Sequence, residues 1–161
     1  MVGDTMNKKF NGLMQEVLAN LDMSGMESTE SGAYIITVDD KVAINIGCPN
    51  DDVVFFFCSI AELGEDNALQ KMNELLRFNA MTTEWAPVMH LSSDNKIILW
   101  GKERLDTLGQ IEFLTLFESF IDFALEAYQW ANADSGSLDS ASPEHDESES
   151  PLWMSHQVIR A

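Results

Sequence analysis

The sequence predicts an α+β fold in which helices pack against an antiparallel sheet, in the order helix-β-β-β-helix-β-β-helix. Three observations carry that reading. Three windows repeat apolar residues at i, i+3, i+4 and i+7, the period of a helix with a buried face. Between them lie five short runs rich in Val, Ile and Phe, with the alternation of strands that have one side in a core. Within each group of runs the connections are only a few residues long. That suits hairpins and is too short for the crossover a parallel pair needs.

The first helix is expected over Met6–Leu21, with Asp4 or Thr5 as cap. Phe10, Leu13, Met14, Val17, Leu18 and Leu21 form its apolar stripe. Asp22–Gly32 is polar and carries Gly and Ser, so it reads as a loop. Ala33–Val38 and Lys41–Ile46 form a hairpin across Asp39-Asp40, and Val42, Ile44 and Ile46 share one face. Gly47–Asp52 turns the chain into a third strand, Val53–Ile60. This strand is apolar on both sides. Val53, Phe55 and Phe57 point one way; Val54, Phe56 and Cys58 point the other. An antiparallel sheet normally keeps one wet face, so the strand is either doubly covered or part of a partner surface. A second helix follows over Glu62–Met81, with Leu69, Met72, Leu75, Leu76 and Asn79 as its inner stripe. Pro87 ends helical structure. Val88–Ser92 and Lys96–Gly101 then form a hairpin across Ser93-Asp94-Asn95, and Lys102–Thr107 connects to the last helix.

That helix, Leu108–Trp130, organises the rest. One stripe runs through Ile111, Leu114, Phe117, Ile121, Leu125 and Tyr128, a second through Phe113, Leu116, Phe120, Phe123 and Ala127. Apolar cover this wide cannot leave half the helix in water. The expectation is a core helix, with part of the second stripe available to another chain.

The chain has 161 residues, 45% hydrophobic and 22% charged, enough for one globular domain with its own core. The domain is read as residues 1–131, and 132–161 as an acidic, disordered tail. The tail closes on short apolar stretches, Pro151-Leu152-Trp153-Met154 and Val158-Ile159. A formal net charge of -18, from 27 acidic and 9 basic side chains, argues against nucleic acid and anionic membranes, both of which need clustered Lys or Arg. Cys48 and Cys58 make neither a disulfide framework nor a metal motif. With no signal peptide or spanning segment, the expected compartment is the cytoplasm.

No catalytic constellation stands out. Of the three histidines, His145 and His156 fall in the tail and His90 in a strand. No phosphate loop, dinucleotide fingerprint or His-Glu-x-x-His occurs. Asp39-Asp40 and Asp51-Asp52 are explained by turn chemistry. The residues therefore predict no enzyme, no cofactor and no metal.

Other stretches carry a resemblance: Asn73-Glu74-Leu75-Leu76-Arg77-Phe78-Asn79, the Trp85-Ala86-Pro87 break, Ile97-Ile98-Leu99-Trp100, and Leu105-Asp106. With the order of elements and the acidity, Phe10–Tyr128 resembles the class I chaperones of bacterial type III secretion, the Tir-chaperone type. The resemblance implies a homodimer that binds the N-terminal segment of a secreted effector in extended form, without nucleotide. On that implication the effector groove falls at Leu13, Val17, Val42, Ile44 and Val54, and the dimer contact at Leu69, Met72, Leu76, Trp85 and Trp100. An ExsC-like regulatory branch is the alternative, echoed by Phe78-Asn79 and Ile159-Arg160; it implies binding of a regulator that couples secretion to transcription. From another class, a small ligand-binding or enzymatic α+β domain predicts an enclosed pocket with converging polar groups.

Overall fold

A computed structural model describes residues 7–66, 68–79 and 85–133. The elements are α1 (Asn7–Asn20), β1 (Tyr34–Val38), β2 (Val42–Gly47), β3 (Val53–Glu62), α2 (Ala68–Phe78), β4 (Val88–Leu91), β5 (Lys96–Arg104) and α3 (Gln110–Asn132), with a 3-10 turn at Leu105–Thr107. The expected order holds. The candidate cap at Asp4 or Thr5, the helical reading of 80–81 and the tail from 134 onward lie outside the described residues.

The strands form one antiparallel sheet in the order β1-β2-β3-β5-β4. Both early connections are turns, as their Asp residues predict. Asp39 and Asp40 both take positive φ, and Lys41 N–H donates to the Val38 carbonyl at 3.0 Å. This is the mirror-image turn whose twist suits a hairpin, and Asp tolerates it better than most residues.

Alternation decides which side of each strand enters the core. Tyr34, Ile36, Val42, Ile44, Ile46, Val54, Phe56, Cys58, Ile97 and Leu99 are buried on one face. There α3 lies across the sheet with α1 beside it. Phe56 sits at the centre, its ring 5.9, 6.4 and 5.6 Å from those of Phe113, Phe117 and Phe120. Phe10 of α1 closes the cluster edge-on against Tyr34 and Phe113. Aromatic pairs at such spacings add to plain area burial.

Three expectations are corrected here. The buried line of α3 is Phe113, Phe117, Phe120, Ala124, Ala127 and Ala131. Three of these six, Phe113, Phe120 and Ala127, belong to the second stripe and face the sheet rather than another chain, while Leu116 and Phe123 of that stripe are half-buried. Ile111, from the first stripe, is left 79% exposed. Strand β3 is not doubly covered: Val54 and Phe56 are sealed, while Phe57 on the opposite face is 45% exposed. The second helix starts at Ala68, because β3 runs on past a bulge at Ser59/Ala61 to Glu62. Its inward residues are Leu75 and Phe78; Leu69, Met72 and Leu76 point out.

Helix α2 packs over the β4 end of the sheet and the last turns of α3. Phe78 meets Phe123 edge-on at 6.0 Å. Lys71 Nζ donates to the Ala131 carbonyl at 2.6 Å, placing a cation on the negative end of α3. Trp130 Nε1 donates to Glu74 Oε2 at 2.6 Å.

Candidate functional site

The two edges of the sheet differ. At β4, the Asn79 side chain acts as a short neighbouring strand. Its Nδ2 donates to the Met89 carbonyl at 2.6 Å, and its Oδ1 accepts from Met89 N–H at 2.8 Å. Asn79 reaches this position because α2 ends at Phe78, just before it. A primary amide carries one acceptor and two donors, so it can satisfy both backbone groups of one residue. Beyond the end of β4, the Lys102 carbonyl of β5 accepts from Trp85 Nε1 at 3.2 Å. Strand β1 has no such cover. It pairs with β2 alone, and among the described residues no backbone group bonds its other edge. An unpaired edge is a template for another strand.

The face of the sheet away from the helices carries an apolar ladder. Cross-strand pairing aligns Ile35, Asn45, Phe57, Trp100 and Val88 in one row over all five strands. Ile35, Phe57 and Val88 are exposed and Trp100 is half-buried. Only Asn45 interrupts the row.

Exposed apolar side chains occur in two further places. On α2, Leu69 and Leu76 are 74% and 69% exposed, with Met72 between them, and the i, i+3, i+7 spacing puts all three on one face. Beside them Leu69, Gln70, Asn73, Glu74 and Arg77 line an open hollow of roughly 500 Å³. Between α1 and the start of α3, a smaller groove of roughly 180 Å³ is lined by Glu16, Val17, Asn20, Gln110, Ile111 and Leu114.

The structure separates the two sets of residues named from the sequence. Leu13, Val17, Val42, Ile44 and Val54 are 0–6% exposed and fill the core beneath α1 and α3. The regular alternation that made them conspicuous is what turns them inward in the free protomer. Val17 alone also reaches the lining of an open groove. Of the dimer set, Leu69, Met72 and Leu76 are exposed, whereas Trp85 and Trp100 are half-buried. Trp85 has a local task. A Cβ at Gly101 would lie 2.7 Å from Trp85 Cζ2, so the indole occupies the space a side chain would need.

The bond from Asn79 to Met89 was not foreseen; its only trace was an Asn where a Leu-rich helix ends. The outer ladder was legible in Val53-Phe55-Phe57, but not its extension across the sheet.

Among the described residues no group of His, Cys, Asp and Glu is gathered to hold a metal. Burial pushes the Cys58 thiol up to about 12, so it stays protonated. The half-buried Cys48 thiol is raised as well, by burial and then by Asp51 beside it. No helix among the described residues is long and apolar enough to cross a membrane.

Comparison with known proteins adds the following. Residues 12–127 match the model of the Tir chaperone protein (CesT) family. No curated protein matches the sequence. Several solved structures share the fold at low identity. The Yersinia pestis type III secretion chaperone SycH, in complex with a fragment of YscM2, is 18% identical with a TM-score of 0.59, over 72% of this chain and 97% of that one. The ExsC–ExsE complex gives 15% and 0.61, over 80% and 98%. The HopA1–SchA chaperone–effector complex gives 15% and 0.60, over 78% and 98%.

Proposed function

This chain belongs to the Tir chaperone protein (CesT) family, and from that we propose that it is a type III secretion chaperone that holds the N-terminal segment of a secreted effector in extended form. Holding the segment unfolded keeps it soluble and competent for export. The observation that best supports this is the asymmetry of the sheet: β4 is closed by Asn79 and β1 is open. An extended peptide gains backbone bonds at such an edge and specificity from pockets for alternate side chains. Here those pockets would be the outer ladder at Ile35 and the groove at Val17 and Ile111. Strand β1 lies beside α1, since Tyr34 Oη donates to Asn11 Oδ1 at 3.3 Å.

A homodimer fits the outward face of α2. Leu69, Met72 and Leu76 are apolar side chains of a folded helix left in water, and clustered exposed apolar residues mark interaction sites. Trp85 and Trp100 are half-buried, and Trp100 stands on the sheet face away from the helices, so the proposed contact reaches it only around the β4 edge. Each dimer would present two open β1 edges. The compartment consistent with this role is the cytoplasm.

The test is capture followed by amide exchange. The N-terminal segment of a secreted protein encoded beside this chain should co-purify with it and slow exchange at Tyr34–Val38. A complex that leaves β1 exchange unchanged would refute edge pairing. A regulator of the secretion system captured in place of any effector segment would favour the ExsC-like reading, which the likeness to the ExsC–ExsE complex keeps in view as a fold.

A further inference from the structure

We infer that the C-terminal segment around Leu152-Trp153-Met154 covers the outward face of α2 in the free protomer and competes there with the second copy. This rests on the reading of α2 as the dimer face, and adds a regulator to it.

Four observations converge. The first is where the described chain ends. Lys71 of α2 bonds the Ala131 carbonyl and Glu74 bonds Trp130, so the chain leaves α3 against α2 itself. The second is reach. Residues 134–151 supply 18 positions, and the random-coil span of a Ser- and Gly-bearing chain of that length is about 23 Å root-mean-square. Helix α2, with 11 residues, is about 16 Å long. The third is composition. Within the last 28 residues, Leu152, Trp153 and Met154 are the one run of three large apolar side chains, and Trp and Met suit a shallow apolar face.

The fourth is charge. Asp134, Asp139, Glu144, Asp146, Glu147 and Glu149 make the segment strongly acidic. Residues 1–133 carry 21 acidic and 8 basic side chains, a net of -13 (8 − 21), so most of the surface repels the segment. The rim of the α2 hollow is closer to neutral, since Glu74, which accepts from Trp130, is balanced there by Arg77. Arg77 lines it and makes no ion pair among the described residues, whose ion pairs are Lys41–Asp39, Lys96–Asp94 and Arg104–Asp106. Glu147 and Glu149, just before Pro151, are placed in sequence to meet it.

The expected size follows from competition. An effective concentration of about 1 mM with an intrinsic affinity of about 1 mM leaves half the free protomers covered. A dimer needs both faces clear, so the segment weakens dimerisation about fourfold.

The experiment uses the full chain. Sedimentation equilibrium compares it with a Leu152→Ser/Trp153→Ser variant, whose changes lie outside the described core. Methyl NMR of Met72, Leu69 and Leu76 is recorded over a concentration series that extends down to the monomer. A dimer tightened about fourfold, with methyl shifts that change on substitution and on addition of salt, supports the inference. An unchanged dissociation constant with unchanged methyl shifts overturns it. Methyl shifts that follow protein concentration but ignore the substitution assign the face to the second copy alone, and also overturn it. If no dimer forms at any concentration, the dimer reading fails by itself. In that case the methyl shifts decide: a change on substitution supports the covering segment, and no change overturns it.

Discussion

Asn79→Ala gives the most direct test of how the sheet is finished. The substitution removes two hydrogen bonds, of 2.6 and 2.8 Å, to the backbone of Met89. A net intramolecular hydrogen bond contributes about 1 kcal/mol, and stranding a partly buried backbone group costs at least as much. The expected loss is about 2 kcal/mol, a substantial share of the stability of a domain this size. The assay is urea unfolding followed by far-UV circular dichroism, read as a lower midpoint at unchanged slope. It should be run in a Leu76→Glu background, so that a change in self-association cannot pass for a change in folding. Amide exchange adds a local readout, with Met89 expected to exchange faster than its neighbours in β5. Asn79→Asp sharpens the result. It keeps an acceptor for Met89 N–H but sets a carboxylate oxygen against the Met89 carbonyl, so it should cost at least as much as alanine. A loss below about 0.5 kcal/mol for Asn79→Ala, within the usual range of an inconsequential surface change, would refute the view that Asn79 closes this edge.

Other perturbations read other parts of the molecule. Leu76→Glu should change stability by no more than about 0.5 kcal/mol, because the side chain is exposed, while lowering the mass seen by light scattering to that of one 18.0 kDa chain. Trp100→Ala should lower that mass too; a folded variant that stays dimeric would take Trp100 out of the contact. Gly101→Ala places a methyl group against the Trp85 indole and should cost about 1–3 kcal/mol, with a changed tryptophan signal in near-UV circular dichroism. Cys58 supplies a pH dependence. Its thiol is raised to about 12 in the fold and titrates near 8.5 when unfolded, so the fold favours the protonated form. That contribution is complete below about pH 8.5 and declines as pH climbs toward 12. Unfolding free energies at pH 8 and pH 10.5, compared between the parent and Cys58→Ala, should converge at the higher pH. A thiol reagent at pH 8 should label Cys48 faster than Cys58 in the native protein and both alike in urea.

Sequence alone determined the elements and their parity. Helical and strand periods are written in the spacing of apolar residues, and the short Asp-bearing turns force antiparallel neighbours, so the order of elements and the alternation along the strands followed from the chain. Parity is a relative property, however. It says that Val54 and Phe56 oppose Phe55 and Phe57, and not which pair the helices will cover. The run Val53–Cys58 is apolar on both sides, so only the docking of α1 and α3 resolved it. That docking sealed Val54 and Phe56 and left Phe57 in the outer ladder. The same limit applies to the groove candidates: Leu13, Val17, Val42, Ile44 and Val54 were the clearest apolar positions, and in the free protomer they turn inward. The orientation of α2 was likewise beyond the sequence. Leu69, Met72, Leu75, Leu76 and Phe78 spread around much of a short helix, and the choice of Leu75 and Phe78 as its inner face came from contacts with α3 and β4. Local spacing is set by bonds within a few residues, whereas the side of an element that meets water is set by partners far along the chain. For that reason the open β1 edge and the outward α2 face emerged only once the chain was folded.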